Sequence, residues 1–250
     1  MRIAVVGAGG TGGYFGGLLA RAGHDVTFIA RGAQLEALRR RGLTVRSWRH
    51  GEFSLPVRAT DDPDGVGPVD LVLFCVKTYD TDAAAAALPA LMGPDTLVIP
   101  VQNGVDSEER IGRYVGAERV LGGVAYIVSH IEAPGIIAHR AGPGKLVVGE
   151  RHGPPRPQTR AAVAALQGAG IEVELSSDVE VTKWVKFVFI CAYSGMTALT
   201  RLPIGPILAD PESRAAYVAT MEEVAAVAQA EGVRLPPDCV EQQLGLAESL

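Results

Sequence analysis

The chain has 250 residues, 20% of them charged, and a net charge of -5 at neutral pH. That length holds one large domain or one of ordinary size with a smaller partner, and the lack of a basic field speaks against nucleic acid or an anionic membrane as a partner. Cys75, Cys191 and Cys239 form no Cys-x-x-Cys pair, which argues against a disulfide framework and a metal site and suits a reducing, cytoplasmic setting. No run approaches the roughly 18 apolar residues of a membrane span, because Pro89 breaks the alanine-rich stretch from Ala83 and Lys186 the one around Phe187.

In chain order, the apolar run 3–6 predicts a strand, followed by a helix from about Gly12 to Gly23, a strand over 26–30 and a short helix around Leu35 and Leu38 closed by Gly42. Val45, Phe53, Leu55 and Val57 flank a polar turn at His50 and Gly51, the pattern of a hairpin. A buried strand over 69–76, a helix capped near Thr81 or Asp82 and a strand over 96–101 come next, then a strand over 120–127. Residues 135–140 and 145–148 read as a second hairpin about a Gly142-Pro143-Gly144 turn, placed at a sheet edge. Past the proline-rich loop at Pro154, Pro155 and Pro157, a helix and the strand 172–175 end the alternating pattern. Beyond Asp178 the pattern is helical: Ser177 with Glu180 fits a capping box, and Asp210 with Pro211 starts a helix that ends near Gly232.

Strand, turn and helix at the N-terminus carry Gly7, Gly9 and Gly12. This spacing serves a tight turn, close approach of backbone to a pyrophosphate, and close packing of helix on strand, so it marks a dinucleotide-binding Rossmann unit. The fold class is therefore α/β, an N-terminal Rossmann-type parallel sheet domain over 1–177 followed by a smaller all-helical domain over 178–250. NAD sites carry an acidic residue at the end of the second strand, whereas NADP sites place an arginine there. Ala30 and Arg31 occupy that place and Asp25 lies at the wrong end of the strand, which favours NADP, the alternative for Arg31 being a solvated surface charge.

Ligands of open α/β sheets lie beyond the carboxyl ends of the strands, where this chain has Lys77 and the run Gln102-Asn103-Gly104. Lys77 is a candidate for cofactor phosphates or a substrate carboxylate, or else a solvated loop charge. Asn103 is a candidate for nicotinamide or substrate, or else a turn residue. In the apolar helix from Val179, Lys186, Ile190, Tyr193 and Thr197 share one stripe at 100° per residue, with Lys183 near its edge. A lysine held near an apolar wall can donate a proton to a carbonyl oxygen as hydride reaches its carbon; the alternative is a lysine that snorkels to water.

Taken together, the N-terminal glycine loop, Arg31, Val76-Lys77, Gln102-Asn103-Gly104, Gly122-Gly123, the segment from Pro134-Gly135 through His139 to Gly149-Glu150, and Trp184-x-Lys186 resemble the ketopantoate reductases (2-dehydropantoate 2-reductases), NADPH enzymes of pantothenate biosynthesis. The resemblance implies a Rossmann domain and a helical domain for substrate binding and dimerisation, with a small 2-oxoacid as substrate and a second copy of the chain as a candidate partner. It implies that Lys186 is the catalytic lysine acting on the keto oxygen, that Asn103 places substrate and nicotinamide, and that Lys77 lies near the cofactor; His139 matches a framework position. Two features depart from the family pattern. Ile190 and Ser194 stand where family members carry substrate-binding asparagines, and the family continues past Leu250 into a segment bearing a substrate-binding glutamate. The expected function is NADPH-dependent reduction of 2-dehydropantoate, the alternatives being a different 2-oxoacid, a non-catalytic NADP-binding sensor, or an NAD-linked hydroxyacid dehydrogenase.

Overall fold

A computed structural model describes residues 1–250, which divide into two compact units, one of residues 1–102 and 106–179 and one of 103–105 and 180–250. The first unit begins β1 (Arg2–Val6), α1 (Gly10–Arg21), β2 (Asp25–Ile29), α2 (Gly32–Arg41), β3 (Leu43–Ser47), β4 (Gly51–Leu55) and β5 (Arg58–Thr60). It continues β6 (Val69–Phe74), α3 (Thr81–Ala85), β7 (Met92–Pro100), α4 (Ser107–Val115), β8 (Gly122–Ala133), β9 (Ile136–Gly149), α5 (Pro157–Gly168) and β10 (Glu172–Leu175). Strands in the order β5-β2-β1-β6-β7 form an all-parallel sheet. Its central strand is apolar on both faces, as a sheet covered on both sides requires: Ile3 and Val5 join one core with Phe28 and Leu73, while Ala4 and Val6 join another with Val72 and Ile111.

The predicted hairpin over 45–57 forms, as antiparallel β3–β4, but in a second sheet ordered β10-β9-β3-β4 with β8 on β9. Helix α1 runs between the two sheets, and its composition explains how it fits. A Cβ on Gly12 would meet Cys75 and Val5 at 3.0 Å, and one on Gly16 would meet Phe28 at 2.6 Å, all in the parallel sheet or at the end of its β6. On its other side, Cβ atoms on Gly13 and Gly17 would meet Ile137 at 2.6 Å and Val45 at 2.9 Å in the second sheet. Two overlapping i, i+4 glycine pairs thus let one helix touch two sheets at backbone distance.

The second hairpin expected from the sequence is corrected. Gly142-Pro143-Gly144 is not a turn but an irregular stretch inside the single strand β9, and the reversal from β8 to β9 falls at Pro134-Gly135. Nor does β9 lie at an edge: its first half pairs with β3 and its second half with β10, while β8 runs along it. Gly142 and Gly144, with φ of +77° and +65°, bend the strand between these partners. Buried His139 braces the bend: its Nε2 donates to the Gly142 carbonyl at 3.1 Å and its Nδ1 accepts from Ser47 Oγ at 2.9 Å. Burial lowers the basicity of this imidazole, which keeps it in the neutral form that such a pairing needs. Helix α4 and the edge strand β5 form in stretches for which the sequence suggested no element.

The second unit consists of α6 (Val179–Thr200), whose first residue belongs to the first unit, with α7 (Ile204–Ala209), α8 (Pro211–Ala230) and α9 (Cys239–Glu248). Val188, Ala192 and Met196 recur every fourth residue of α6 and pack with Ile207, Tyr217, Met221 and Ala247. Asp210 caps α8 as expected, its carboxylate accepting from the Ser213 amide at 2.8 Å.

The two environments of helical glycine predict opposite signs for one substitution. In denaturant titrations, Gly195→Ala, in α6 with open space around it, should stabilise by about 0.5–1 kcal/mol through helix propensity. Gly16→Ala gains the same propensity, yet its methyl must displace Phe28, and it should destabilise by about 1–3 kcal/mol.

Candidate active site

At the carboxyl edge of the parallel sheet, β1 lies between β2 and β6, the point where strand order reverses and where such sheets bind ligands. Gly7 leaves β1 at a φ of +97° that disfavours a side chain. Its amide donates to Ile29 O at 3.0 Å, and a Cβ there would press on Val76 N at 2.8 Å. Gly12 is equally constrained, since its Cβ would fall on the Gly7 carbonyl oxygen. Gly9 differs: a Cβ would meet nothing within 4 Å, and its φ of -77° suits any residue. Nothing in the protein requires glycine at position 9, so the open space before α1 is what the missing side chain preserves. The first turn of α1 has no side-chain cap and no acidic residue, leaving its N–H groups and positive end for an anion. Loop and helix therefore fit the pyrophosphate of a dinucleotide.

Arg31 and Lys77 stand at the neighbouring strand ends. Arg31 is exposed, immediately after β2 at the N-cap of α2, and its guanidinium has neither ion pair nor hydrogen bond within the protein. Lys77 is exposed one residue past the Val76 contact of Gly7. Two residues to which the sequence reading gave no role hold this edge in place. Gln34 Nε2 donates to Ala8 O at 2.8 Å while its Oε1 accepts from Gly135 N at 2.8 Å, tying the glycine loop to the β8–β9 turn. Gln102 Nε2 donates to Val76 O at 2.8 Å and to Thr81 Oγ1 at 3.0 Å, tying the ends of β6 and β7. Such ties join residues far apart in the chain, so the local pattern around Gln34, or the run Gln102-Asn103-Gly104, does not disclose them.

Asn103 and Lys186 come together in the second unit, to which residues 103–105 belong by their contacts. Lys186 Nζ donates to Asn103 Oδ1 at 2.9 Å, across 83 residues of sequence. Burial of the ammonium pulls the lysine down to about 8 from its ordinary value. One turn earlier Lys183, 4% exposed, reaches Val105 O at 3.4 Å and the Glu180 carboxylate at 2.9 Å. The sequence placed Lys183 near the edge of the Lys186 stripe without assigning it a partner. Ile190 and Tyr193 on that stripe are half-buried, with the Tyr193 ring stacked on Phe189 at 5.4 Å between centroids. A basicity-lowered ammonium oriented by an amide can donate a hydrogen bond or a proton to an oxygen that is gaining negative charge.

Residues 3–153 match the family model described as ketopantoate reductase PanE/ApbA, and residues 178–248 match its C-terminal counterpart. The uncharacterized oxidoreductase YkpB of Bacillus subtilis is 32% identical over 100% of this chain and 82% of its own length. A 2-dehydropantoate 2-reductase of Mesorhizobium japonicum is 31% identical over 94% of this chain and 78% of the relative. A crystal structure of a PanE/ApbA family ketopantoate reductase from Ralstonia eutropha superposes with a TM-score of 0.90 at 37% identity, over 100% of this chain and 81% of that one. No helix is long and apolar enough to cross a membrane. The chain is an oxidoreductase and belongs to the ketopantoate reductase family.

Proposed function

We propose that this chain reduces 2-dehydropantoate to pantoate with NADPH. The observation that carries the reading is the Lys186–Asn103 pair, in which a lysine brought down to about 8 is aimed by an amide oxygen at 2.9 Å. When bound, the nicotinamide ring supplies a hydride to the keto carbon. The residues of the chain handle the oxygen. As the carbonyl gains electrons, Lys186 donates its proton to the forming alkoxide and is left as a neutral amine, which water reprotonates. A donor near 8 gives up its proton more readily than an ordinary lysine yet remains mostly protonated at neutral pH. With Oδ1 engaged by Lys186, the Asn103 amide N–H groups are the ones turned to the substrate. Gly7, Gly9, Gly12 and the N-terminus of α1 hold the pyrophosphate, Arg31 pairs with the 2'-phosphate, and Lys77 lies near the phosphates.

A second reading keeps the reaction and changes the substrate. Ile190 is one helical turn from Lys186 on the same stripe, and an apolar side chain there suits a 2-oxoacid with a hydrocarbon rather than a hydroxylated end. Purified protein offered NADPH with 2-dehydropantoate and with a panel of branched 2-oxoacids separates the two by the ratio of kcat/KM. No turnover with any of them, while NADPH still binds, would defeat both. In the same assay NADPH should outperform NADH, and Arg31→Ala should remove about 1.5–3 kcal/mol of that preference, the worth of a charge-assisted hydrogen bond.

Lys186→Ala should lower kcat by about 10²–10⁴-fold, the usual worth of a positioned acid, with NADPH affinity by fluorescence titration unchanged. Since the protonated lysine is the active form, kcat/KM for reduction should be flat below its value of about 8 and fall tenfold per pH unit above it. A profile flat to pH 10 would rule out Lys186 as the donor.

Gly9 and Gly12 should behave differently. Gly9→Ala, with free space for its methyl, should leave the unfolding temperature unchanged and weaken NADPH binding at least tenfold. Gly12→Ala, which collides with the Gly7 carbonyl, should lower both.

A further inference from the structure

The reductase chemistry proposed above requires Asn103 to stay beside Lys186, and the inference that follows rests on that reading. Asn103, Gly104 and Val105 have no regular secondary structure, and Asn103 is exposed. Within the second unit they meet α6 through two lysines that are three residues apart and so on one helix face. Lys186 takes the side chain of Asn103, and Lys183 takes the backbone at Val105 O. A buried ammonium is retained only where its lost hydration is replaced by partners. For Lys183, 4% exposed, the Glu180 carboxylate at 2.9 Å supplies the opposite charge and Val105 O a further acceptor. Glu180 also offsets the repulsion that two ammonium groups one turn apart would feel.

We propose that Lys183 is a positioning residue: by holding Val105 O, it fixes the 103–105 segment on α6 and keeps Asn103 Oδ1 within hydrogen-bond distance of Lys186 Nζ. Lys183 touches no reacting atom in this scheme. It acts through Asn103, and that dependence is what distinguishes it from a lysine needed only for stability.

A double-mutant cycle tests the dependence. Lys183→Met keeps the aliphatic stem and removes the three donors; it should lower kcat about 20-fold with the KM for NADPH within twofold, because a small misplacement of a positioned group is costly in turnover. In an Asn103→Ala background the same substitution should cost less than twofold, since the group it positions is gone. Lys183→Arg, which retains a donor, should recover at least half of kcat. An equal loss in both backgrounds, or no loss in either, overturns the proposal. Should Lys183→Met fail to fold, Lys183→Gln enters the same cycle. Backbone NMR relaxation decides the clamp without turnover: the amide order parameters of residues 103–105 should fall below about 0.6 in Lys183→Met, while those of β1 and β6 stay near the rigid-backbone value of about 0.85. Unchanged order parameters at 103–105 reject the clamp even if the reductase reading holds. A wild type that turns over no 2-oxoacid, but shows the relaxation difference, rejects the reductase reading alone.

Discussion

The first unit depends on one close approach: α1 lies against two sheets at once, and side chains at four of its positions would prevent it. Relative to alanine, Gly12, Gly13, Gly16 and Gly17 cost the helix about 3–4 kcal/mol in intrinsic propensity, so α1 is a poor helix in isolation. What outweighs the cost is burial on both sides. Tyr14, Phe15, Leu18 and Leu19 are fully buried in the core they share with Val5 and Phe28 from the parallel sheet and Val45 and Ile137 from the second. Apolar burial of roughly 1.5–3 kcal/mol per large side chain is enough to reverse the propensity deficit.

This approach also sets the geometry of the glycine loop. With Gly12 against the Gly7 carbonyl and Gly7 against Val76, the start of α1 is pinned to the ends of β1 and β6 by contacts that leave no slack. Gln34 then fixes the loop from outside through Ala8 O. Loops that bind ligands are commonly among the more mobile parts of a fold; here the packing of α1 and the Gln34 tie remove that freedom before any ligand arrives, which lowers the ordering cost of binding.

How much of this was legible in the sequence follows from the range of the interactions involved. Gly7, Gly9 and Gly12 could be read because the turn, the close approach and the helix start are local, all within six residues. Strand β1, the capped α8 and the hairpin of β3 and β4 were readable for the same reason. The Gly142-Pro143-Gly144 stretch misled because its local chemistry is that of a turn, whereas its role is decided by β3 and β10, strands that pair with the two halves of β9 and come from distant parts of the chain. The same holds for α1: that it touches a second sheet depends on Ile137, more than a hundred residues away. Of the candidate active site, the sequence singled out Lys186 by its stripe and Asn103 by its strand end, but not the bond that joins them, nor the work of Lys183 and Gln34.

The Lys186–Asn103 bond resolves a conflict between two demands on the lysine. Burial favours the neutral amine and lowers its basicity to about 8, which makes it a better acid; burial carried further would leave it deprotonated at neutral pH and useless as one. A hydrogen bond from the charged ammonium to a neutral amide oxygen opposes that drift, because the acceptor favours the protonated form without adding a negative charge. A carboxylate in the place of Asn103 would do so more strongly and return the lysine toward its ordinary basicity. In the proposed reduction it would also repel the anionic oxoacid. For that reaction an amide would satisfy both conditions, keeping the proton on Lys186 until an oxygen of developing negative charge competes for it, and the proposal thereby accounts for asparagine rather than aspartate at position 103.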